Sequence, residues 1–163
     1  MSKAGVDINI KTEALKDLED DLYNLGVAVS REVAMYAKTE LTAQYKSILQ
    51  DYYADYDPIV YERTNQLLND SYSPYYKSPH GTISYGGVLL RPERLEYKTG
   101  YPGEDVISDF LNGWHGGSIP AGFNPYMRLL RRRDVIFADI CDGETGQNLI
   151  KQAKKKVNLK VLQ

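Results

Sequence analysis

The sequence predicts an α+β protein in which a long N-terminal helix packs on a small antiparallel β-sheet and C-terminal helices follow. Its 163 residues, 42% of them apolar, suit a single domain covering residues 1–163. Apolar residues keep a mainly helical spacing in residues 1–57, fall in short β-like stretches in 58–100, and return to helical spacing in 101–163. Helices and strands that occupy separate parts of a chain in this way indicate the α+β class.

The first part opens with a strand and continues into helix. Apolar and polar residues alternate through residues 6–10, which predicts a half-buried strand. Leucines three and four residues apart predict an amphipathic helix over residues 12–25, with an interruption near Gly26. A longer helix is predicted over residues 29–57, and Pro58 ends it.

The middle part contains the predicted sheet. Residues Thr82 to Leu90 have the composition of a strand. The pair Gly86-Gly87 marks either a bulge or a hairpin turn. Residues Leu95 to Lys98 are the predicted partner strand.

The last part is predicted to be mostly helical. Helices are expected over residues 104–111, 127–140 and 144–157. A loop with three glycines and two prolines is expected over residues 114–125. The alternating residues 157–161 predict a last strand, which pairs with the opening strand or with another subunit.

Composition and motifs narrow the class of protein. No apolar run is long enough to span a membrane and no signal peptide is evident, so a soluble intracellular protein is expected. The single cysteine, Cys141, excludes an internal disulfide. The phosphate-loop, nucleophile-elbow and HExxH motifs are absent, so we expect no enzyme, no cofactor and no metal site. The catalytic alternative is a small hydrolase with Cys141 as nucleophile and His115 as base.

Tyrosine is concentrated in one stretch of the chain. Seven tyrosines fall within 25 residues: Tyr52, Tyr53, Tyr56, Tyr61, Tyr72, Tyr75 and Tyr76. A tyrosine has a large apolar ring and a polar tip, so it suits a surface that a partner covers. These residues are predicted to form a subunit interface. Trp114 is either a further interface anchor or a ring packed on its own core.

Charge is divided between the two ends of the chain. Residues 1–127 contain 11 basic and 18 acidic residues, a net of −7, whereas residues 128–163 contain 9 and 4, a net of +5. The densest basic patch consists of Arg128, Arg131, Arg132 and Arg133. Two interpretations stay open for this patch, which are contact with the acids of a neighbouring subunit and neutralisation of DNA phosphates.

Several features of residues 6–90 together resemble the minor virion proteins of long-tailed bacteriophages. They are the opening strand, the leucine-spaced helix, the long helix ending near the tyrosines, and the segment Tyr61-Glu62-Arg63-Thr64-Asn65-Gln66-Leu67. In that family an Arg-Thr-Gly-x-Leu turn is common at this point. Here Asn65 replaces the glycine, and asparagine also tolerates a left-handed backbone. The segment 109–115 resembles a DFLNG-type segment in relatives from phages of Gram-positive hosts.

The resemblance implies a structural role in the virion, with assembly in the host cytoplasm. Such proteins form a ring, here expected to have six subunits, at the head–tail neck, where they complete or join the tail. The implied partners are other copies of the chain, the head connector and the tail tube, with no membrane. Genomic DNA passes through without specific binding. Asp17, Asp20 and Asp21 either face that channel or form a solvated face of the helix, and both interpretations stay open. The alternative is a DNA-binding accessory protein that uses Arg128 to Arg133.

Overall fold

The computed structural model describes residues 12–54, 65–95, 100, 102–112 and 124–157. The strands predicted at residues 6–10 and in the C-terminal tail beyond residue 157 lie outside these ranges, as does most of the predicted glycine-rich loop.

One continuous helix, α1 (Thr12–Ala54), runs through both predicted helical segments. The predicted interruption at Gly26 is therefore wrong. A single glycine costs a helix interior only about 1 kcal/mol, and the neighbouring turns of this long helix continue across it. Gly26 also has a packing role, because a Cβ at this position would lie 3.1 Å from Cγ2 of Thr82.

The sheet is a two-stranded antiparallel hairpin formed by β1 (Tyr72–His80) and β2 (Ile83–Leu90). The two residues between the strands include Gly81, whose φ of 44° suits a tight hairpin turn. The predicted strand at Thr82–Leu90 is confirmed, and its partner among the described residues is β1. Most of the predicted partner strand, Leu95–Lys98, lies outside the described residues. The prolines of β1 conceal the strand in the sequence, although a strand paired on one side only can accommodate proline.

Gly86 and Gly87 form neither a turn nor a bulge. They pair in register with Tyr76 and Tyr75, and the irregularity in the ladder lies instead between Lys77 and His80. At Gly86 the hairpin approaches α1 so closely that an added Cβ would overlap the backbone carbonyl of Ala34. Glycine is used here for close packing between strand and helix.

A short helix, α2 (Gln66–Asn69), precedes the hairpin. The residue before it, Asn65, has φ 55° and ψ 14°, which is the left-handed conformation expected for an asparagine in place of glycine. A 3-10 turn, Pro92–Arg94, follows the hairpin and brings Leu95 into the core.

Three further helices follow in the described residues, and they are α3 (Gly103–Asn112), α4 (Pro125–Asp142) and α5 (Glu144–Lys156). All three helices were predicted from the sequence, and the structure confirms them. The start of α4 is fixed by Asn124, whose side-chain oxygen accepts a hydrogen bond from the Met127 amide at 3.0 Å, with Pro125 in the first turn.

Both α4 and α5 lie against α1. Arg128 of α4 pairs with Asp51 of α1 at 3.4 Å, and Lys156 at the end of α5 pairs with Glu32 of α1. The core lies between the C-terminal half of α1, the hairpin and α3. Its buried members are Tyr45, Ile48, Leu49, Tyr52, Leu67, Leu95, Ile107 and Phe110. The predicted α+β arrangement is confirmed.

Candidate functional site

The buried aromatic residues form a connected cluster inside the chain. Tyr45 contacts Tyr72 and Phe110 edge-to-face, with ring centroids 5.0 and 6.3 Å apart. Tyr52 contacts Phe110 in the same way at 5.1 Å and Tyr53 at 5.8 Å. Edge-to-face pairs of this kind stabilise a core beyond the area they bury. The cluster is therefore part of what holds α1 to β1 and α3.

This cluster corrects the prediction for Tyr52, which was assigned to a subunit interface. Tyr52 is only 6% exposed in the single chain, so little of its ring is left for a partner. Tyr53 and Tyr72 are half-buried against the same core. The helical spacing of Tyr45 and Tyr52 along α1 was the sequence signal for burial, since the two residues lie seven apart on one face.

The remaining predicted interface aromatics divide into two groups. Tyr75 is half-buried and Tyr76 is exposed, both on β1. Tyr56, Tyr61 and Trp114 lie outside the described residues. The described tyrosines of this stretch therefore do not form one exposed surface, since only Tyr76 among them is exposed.

Burial also changes the ionisation of two of these phenols. It raises the pKa of Tyr45 from 10.0 to about 12, and the nearby Ser71 side chain offsets a smaller part. Burial likewise raises the pKa of Tyr72. Both groups are consequently neutral packing residues at ordinary pH, with no sign of an activated phenol.

An exposed apolar face of the hairpin was missed by the sequence reasoning. Ile83, Tyr85 and Leu89 alternate along β2, so they share one face of the sheet, and all three are exposed. The alternation itself is visible in the sequence. It was overlooked because Gly86-Gly87 was interpreted as a break in the strand.

The N-terminal half of α1 presents a second exposed apolar surface, which we call the leucine stripe: Leu15, Leu18 and Leu22. These side chains are 51%, 37% and 59% exposed. At about 100° per residue, the three leucines lie within an arc of roughly 60° on one side of the helix. Glu19 lies about 40° beyond one edge of that arc, whereas Asp17 lies about 100° beyond the other edge, and both are exposed.

The predicted channel acids occupy different positions on this helix. Asp17 and Asp20 lie three residues apart on the side of α1 away from the leucine stripe, and both are exposed. Asp21 is only 7% exposed and is engaged in interactions within the chain. This corrects the prediction for Asp21, because a carboxylate covered by its own chain does not face a channel.

The four arginines of the basic patch also lie in different surroundings. Arg128, Arg131 and Arg132 of α4 line a groove of about 300 Å³ between α4 and the C-terminal half of α1, which we call the arginine groove. Its other lining residues are Gln44, Ser47, Ile48, Asp51 and Val135. Arg133 lies outside the groove and pairs with its neighbour Asp134 at 3.1 Å.

The arginine groove contains arginines that form no ion pair with the described residues, and it also contains an exposed apolar side chain. Arg131 and Arg132 are exposed and form no ion pair with any residue in the described part of the chain. Val135 is 64% exposed, an unusual fraction for valine. The groove therefore suits an anionic partner that also brings apolar side chains.

A separate cavity of about 380 Å³ lies between the end of β2, α3 and the start of α4. Its walls include Leu90, Pro92, Ile107, Leu111 and Tyr126. Because these walls are mainly apolar, the cavity suits an apolar side chain better than a charged ligand.

Within the described ranges, no group of three or more His, Cys, Asp or Glu side chains is arranged to hold a metal ion. Cys141 is exposed on α4, while its hypothetical partner His115 lies outside those ranges. No helix in the described part of the chain is both long and apolar enough to cross a membrane. Comparison of the chain with known protein families, characterised proteins and solved structures found no match.

Proposed function

We propose that this protein is a structural component of a long-tailed phage virion, which assembles into a ring at the head–tail neck. The observation that carries the proposal is the exposure of apolar side chains on several separate surfaces of one small chain. Monomeric proteins rarely expose large contiguous apolar patches, and assembly is a common way to cover them. The proposed kind of assembly, a ring at the head–tail neck, comes from the resemblance of residues 6–90 to minor virion proteins.

In this proposal the ring contains six copies and lies between the head connector and the tail tube. The exposed face of β2 and the unpaired outer edges of the described hairpin favour contact with an adjoining protein. Asp20, on the side of α1 opposite the leucine stripe, is the acid best placed to repel DNA passing through the ring.

The direct test is the size and shape of the purified protein. We expect a discrete species six times the mass of one chain by light scattering, and annular particles by negative-stain electron microscopy. The proposal is contradicted if the protein stays monomeric at every accessible concentration, both alone and after head connector or tail tube protein is added.

A second candidate function is DNA binding, and the arginine groove favours it. Three arginines on one side of α4 are enough to neutralise several phosphates. Asp51 within the groove opposes this, because its carboxylate repels a phosphate backbone. A gel shift that weakens steeply with salt, from a species with the mass of a monomer or dimer, would favour this function over the ring.

A further inference from the structure

The last described residues of the chain lie in a groove between α1 and the end of α5, which we call the α5 groove. It has a volume of about 560 Å³, and its lining residues are Asn24, Val27, Ala28, Arg31, Glu32, Lys156 and Val157. Lys156 pairs with Glu32 across it. Residues 158–163, which lie outside the described residues, follow directly from this groove.

The chain arrives at the α5 groove after advancing toward the N-terminus of α1. Arg128, at the start of α4, pairs with Asp51 of α1, whereas Lys156, at the end of α5, pairs with Glu32 of α1. The 19 positions from Glu32 to Asp51 correspond to about 28 Å at 1.5 Å per residue. Continued in the same direction, the chain meets the exposed first turns of α1.

Residues 158–163 are long enough to reach those turns. Six extended residues at about 3.3 Å each span roughly 20 Å. Leu18 lies ten positions before Ala28 of the α5 groove, which is about 15 Å along the helix. The leucine stripe is therefore within reach of the same chain.

The side of α1 that continues the α5 groove is acidic. At about 100° per residue, Asp17 and Asp21 each lie about 20° from Ala28 around the helix. Lys16 lies about 140° from Asp21, so it does not oppose this negative charge. Asp21 is only 7% exposed, which shows that the chain covers this side of α1.

Apolar side chains lie next to these acids. Leu25 lies about 40° and Leu18 about 60° from Asp21, in the direction of the leucine stripe. Leu18 is 37% exposed, less than Leu15 at 51% and Leu22 at 59%, and Leu25 is half-buried. This surface of α1 therefore has carboxylates along one edge and leucines along the other.

The residues that follow the α5 groove match both edges. Leu159 and Val161 alternate with Lys160, so an extended segment places its apolar side chains on one side and its lysine on the other. We infer that residues 158–163 dock along the N-terminal half of α1 in the same chain. Lys160 then pairs with Asp21, while Leu159 and Val161 cover the leucine edge.

This contact goes beyond the proposed ring, because it needs only one chain. Leu15 and Leu22 lie about 120° and 100° from Asp21, on the far side of the leucine stripe. The docked residues therefore leave both leucines available to a neighbouring copy.

Cysteine trapping tests the contact in the full chain. Cys141→Ser first removes the exposed thiol of α4, and Leu18→Cys with Val161→Cys then supplies two thiols. Mild oxidation is expected to join them within one chain. A denaturing, non-reducing gel gives the mass of the linked product, and mass spectrometry of its digest identifies the two joined peptides.

The matched control combines Val161→Cys with Met35→Cys in the same background. Met35 is exposed and lies seven positions after Ala28, so it is nearer to the α5 groove than Leu18 but in the opposite direction. Little of this second link is expected. If it forms as readily as the first, residues 158–163 have no preferred site on α1 and the inference is wrong.

A charge variant tests the ion pair separately. Adding Lys160→Glu to the Leu18→Cys pair is expected to slow the link by about two- to fivefold, as the loss of one exposed ion pair predicts. Lys151→Glu, at an exposed position of α5, is the control and should leave the rate unchanged. Equal rates for the two charge variants would exclude the pairing of Lys160 with Asp21.

Two further outcomes overturn docking within one chain. The first is a Leu18→Cys product with the mass of two chains, which would mean that residues 158–163 of a neighbouring copy occupy the surface. The second is the absence of any link. A monomeric chain can form the expected link and a ring can lack it, so failure here is distinguishable from failure of the proposed function.

Discussion

Asn65 has a left-handed backbone, with φ 55° and ψ 14°, directly before α2. A side chain with a Cβ is strained in this region by about 1–2 kcal/mol, and asparagine is one of the few residues that visit it routinely. The identity of one side chain thus fixes where the chain turns into α2 and the hairpin. The expectation came from the resemblance, because a glycine often stands at this position of the turn and asparagine tolerates the same conformation.

We expect Asn65→Ala to lower the free energy of unfolding by about 1 kcal/mol, since alanine has the Cβ strain without the asparagine side chain's local hydrogen bonding. Asn65→Gly should stay within about 0.5 kcal/mol of the unmodified chain, because glycine adopts this conformation freely. Urea denaturation measures both. Asn148→Ala, at an exposed position inside α5, is the matched control and should not destabilise the chain. Equal effects of Asn65→Ala and Asn65→Gly would contradict the explanation.

Tyr45 links ionisation to stability. Burial raises its folded-state pKa from 10.0 to about 12. The folded chain favours the neutral phenol, so the stabilisation is complete below pH 10 and is lost as pH rises from 10 through about 12. A shift of this size corresponds to roughly 2–3 kcal/mol of unfolding free energy.

Tyr45→Phe is therefore expected to flatten the loss of stability above pH 10, measured by urea unfolding at a series of pH values. Tyr72, whose pKa burial also raises, contributes to the same loss in the unmodified chain. Tyr85→Phe, at an exposed position, serves as the control and should keep the original pH profile. An unchanged profile in Tyr45→Phe would show that another group is responsible.

At the scale of elements, the contact between α1 and β2 decides the fold of the hairpin. Gly86 and Gly87 are adjacent and were indistinguishable in the sequence, where both suggested a turn or bulge. The backbone of Ala34 occupies the space next to Gly86, whereas a Cβ at Gly87 would lie 3.7 Å from Cδ1 of Leu41, an ordinary contact. Local sequence carries no record of which backbone lies opposite, so only the packed structure separates the two glycines.

Gly86→Ala is expected to destabilise the protein by about 2 kcal/mol or more, because the added methyl group forces the hairpin away from α1. Gly87→Ala is the matched control, and its effect should be below about 1 kcal/mol. Thermal unfolding of the two variants measures the difference. Similar stabilities for both would mean that the close approach to Ala34 is not maintained.

At the scale of the whole molecule, α1 has two roles along its length. Its C-terminal half supplies Tyr45, Ile48 and Leu49 to the core, whereas its N-terminal half leaves the leucine stripe exposed. In our proposal the N-terminal half of α1 therefore serves assembly, and the C-terminal half serves folding.

One leucine from each half of α1 allows its role in folding and its role in assembly to be tested separately. Leu49 is fully buried, so Leu49→Ala is expected to lower the free energy of unfolding by about 2–5 kcal/mol. Leu22 is 59% exposed, so Leu22→Ala should change it by less than about 0.5 kcal/mol while weakening self-association. Chemical denaturation of dilute protein and sedimentation at high concentration give the two readouts. A Leu22→Ala variant that unfolds easily, or that assembles normally, would contradict this division.

The sequence by itself determined the α+β class, the helices α3, α4 and α5, the strand at β2 and the left-handed Asn65. Each of these depends on periodicity or on the preference of a residue, which are local properties. Only the tertiary structure decided that α1 continues through Gly26, that β1 pairs with β2, and that Tyr52 and Asp21 are buried while the leucine stripe is not. Those outcomes depend on which surfaces come together, and a residue's burial is set by neighbours that lie far from it in the chain.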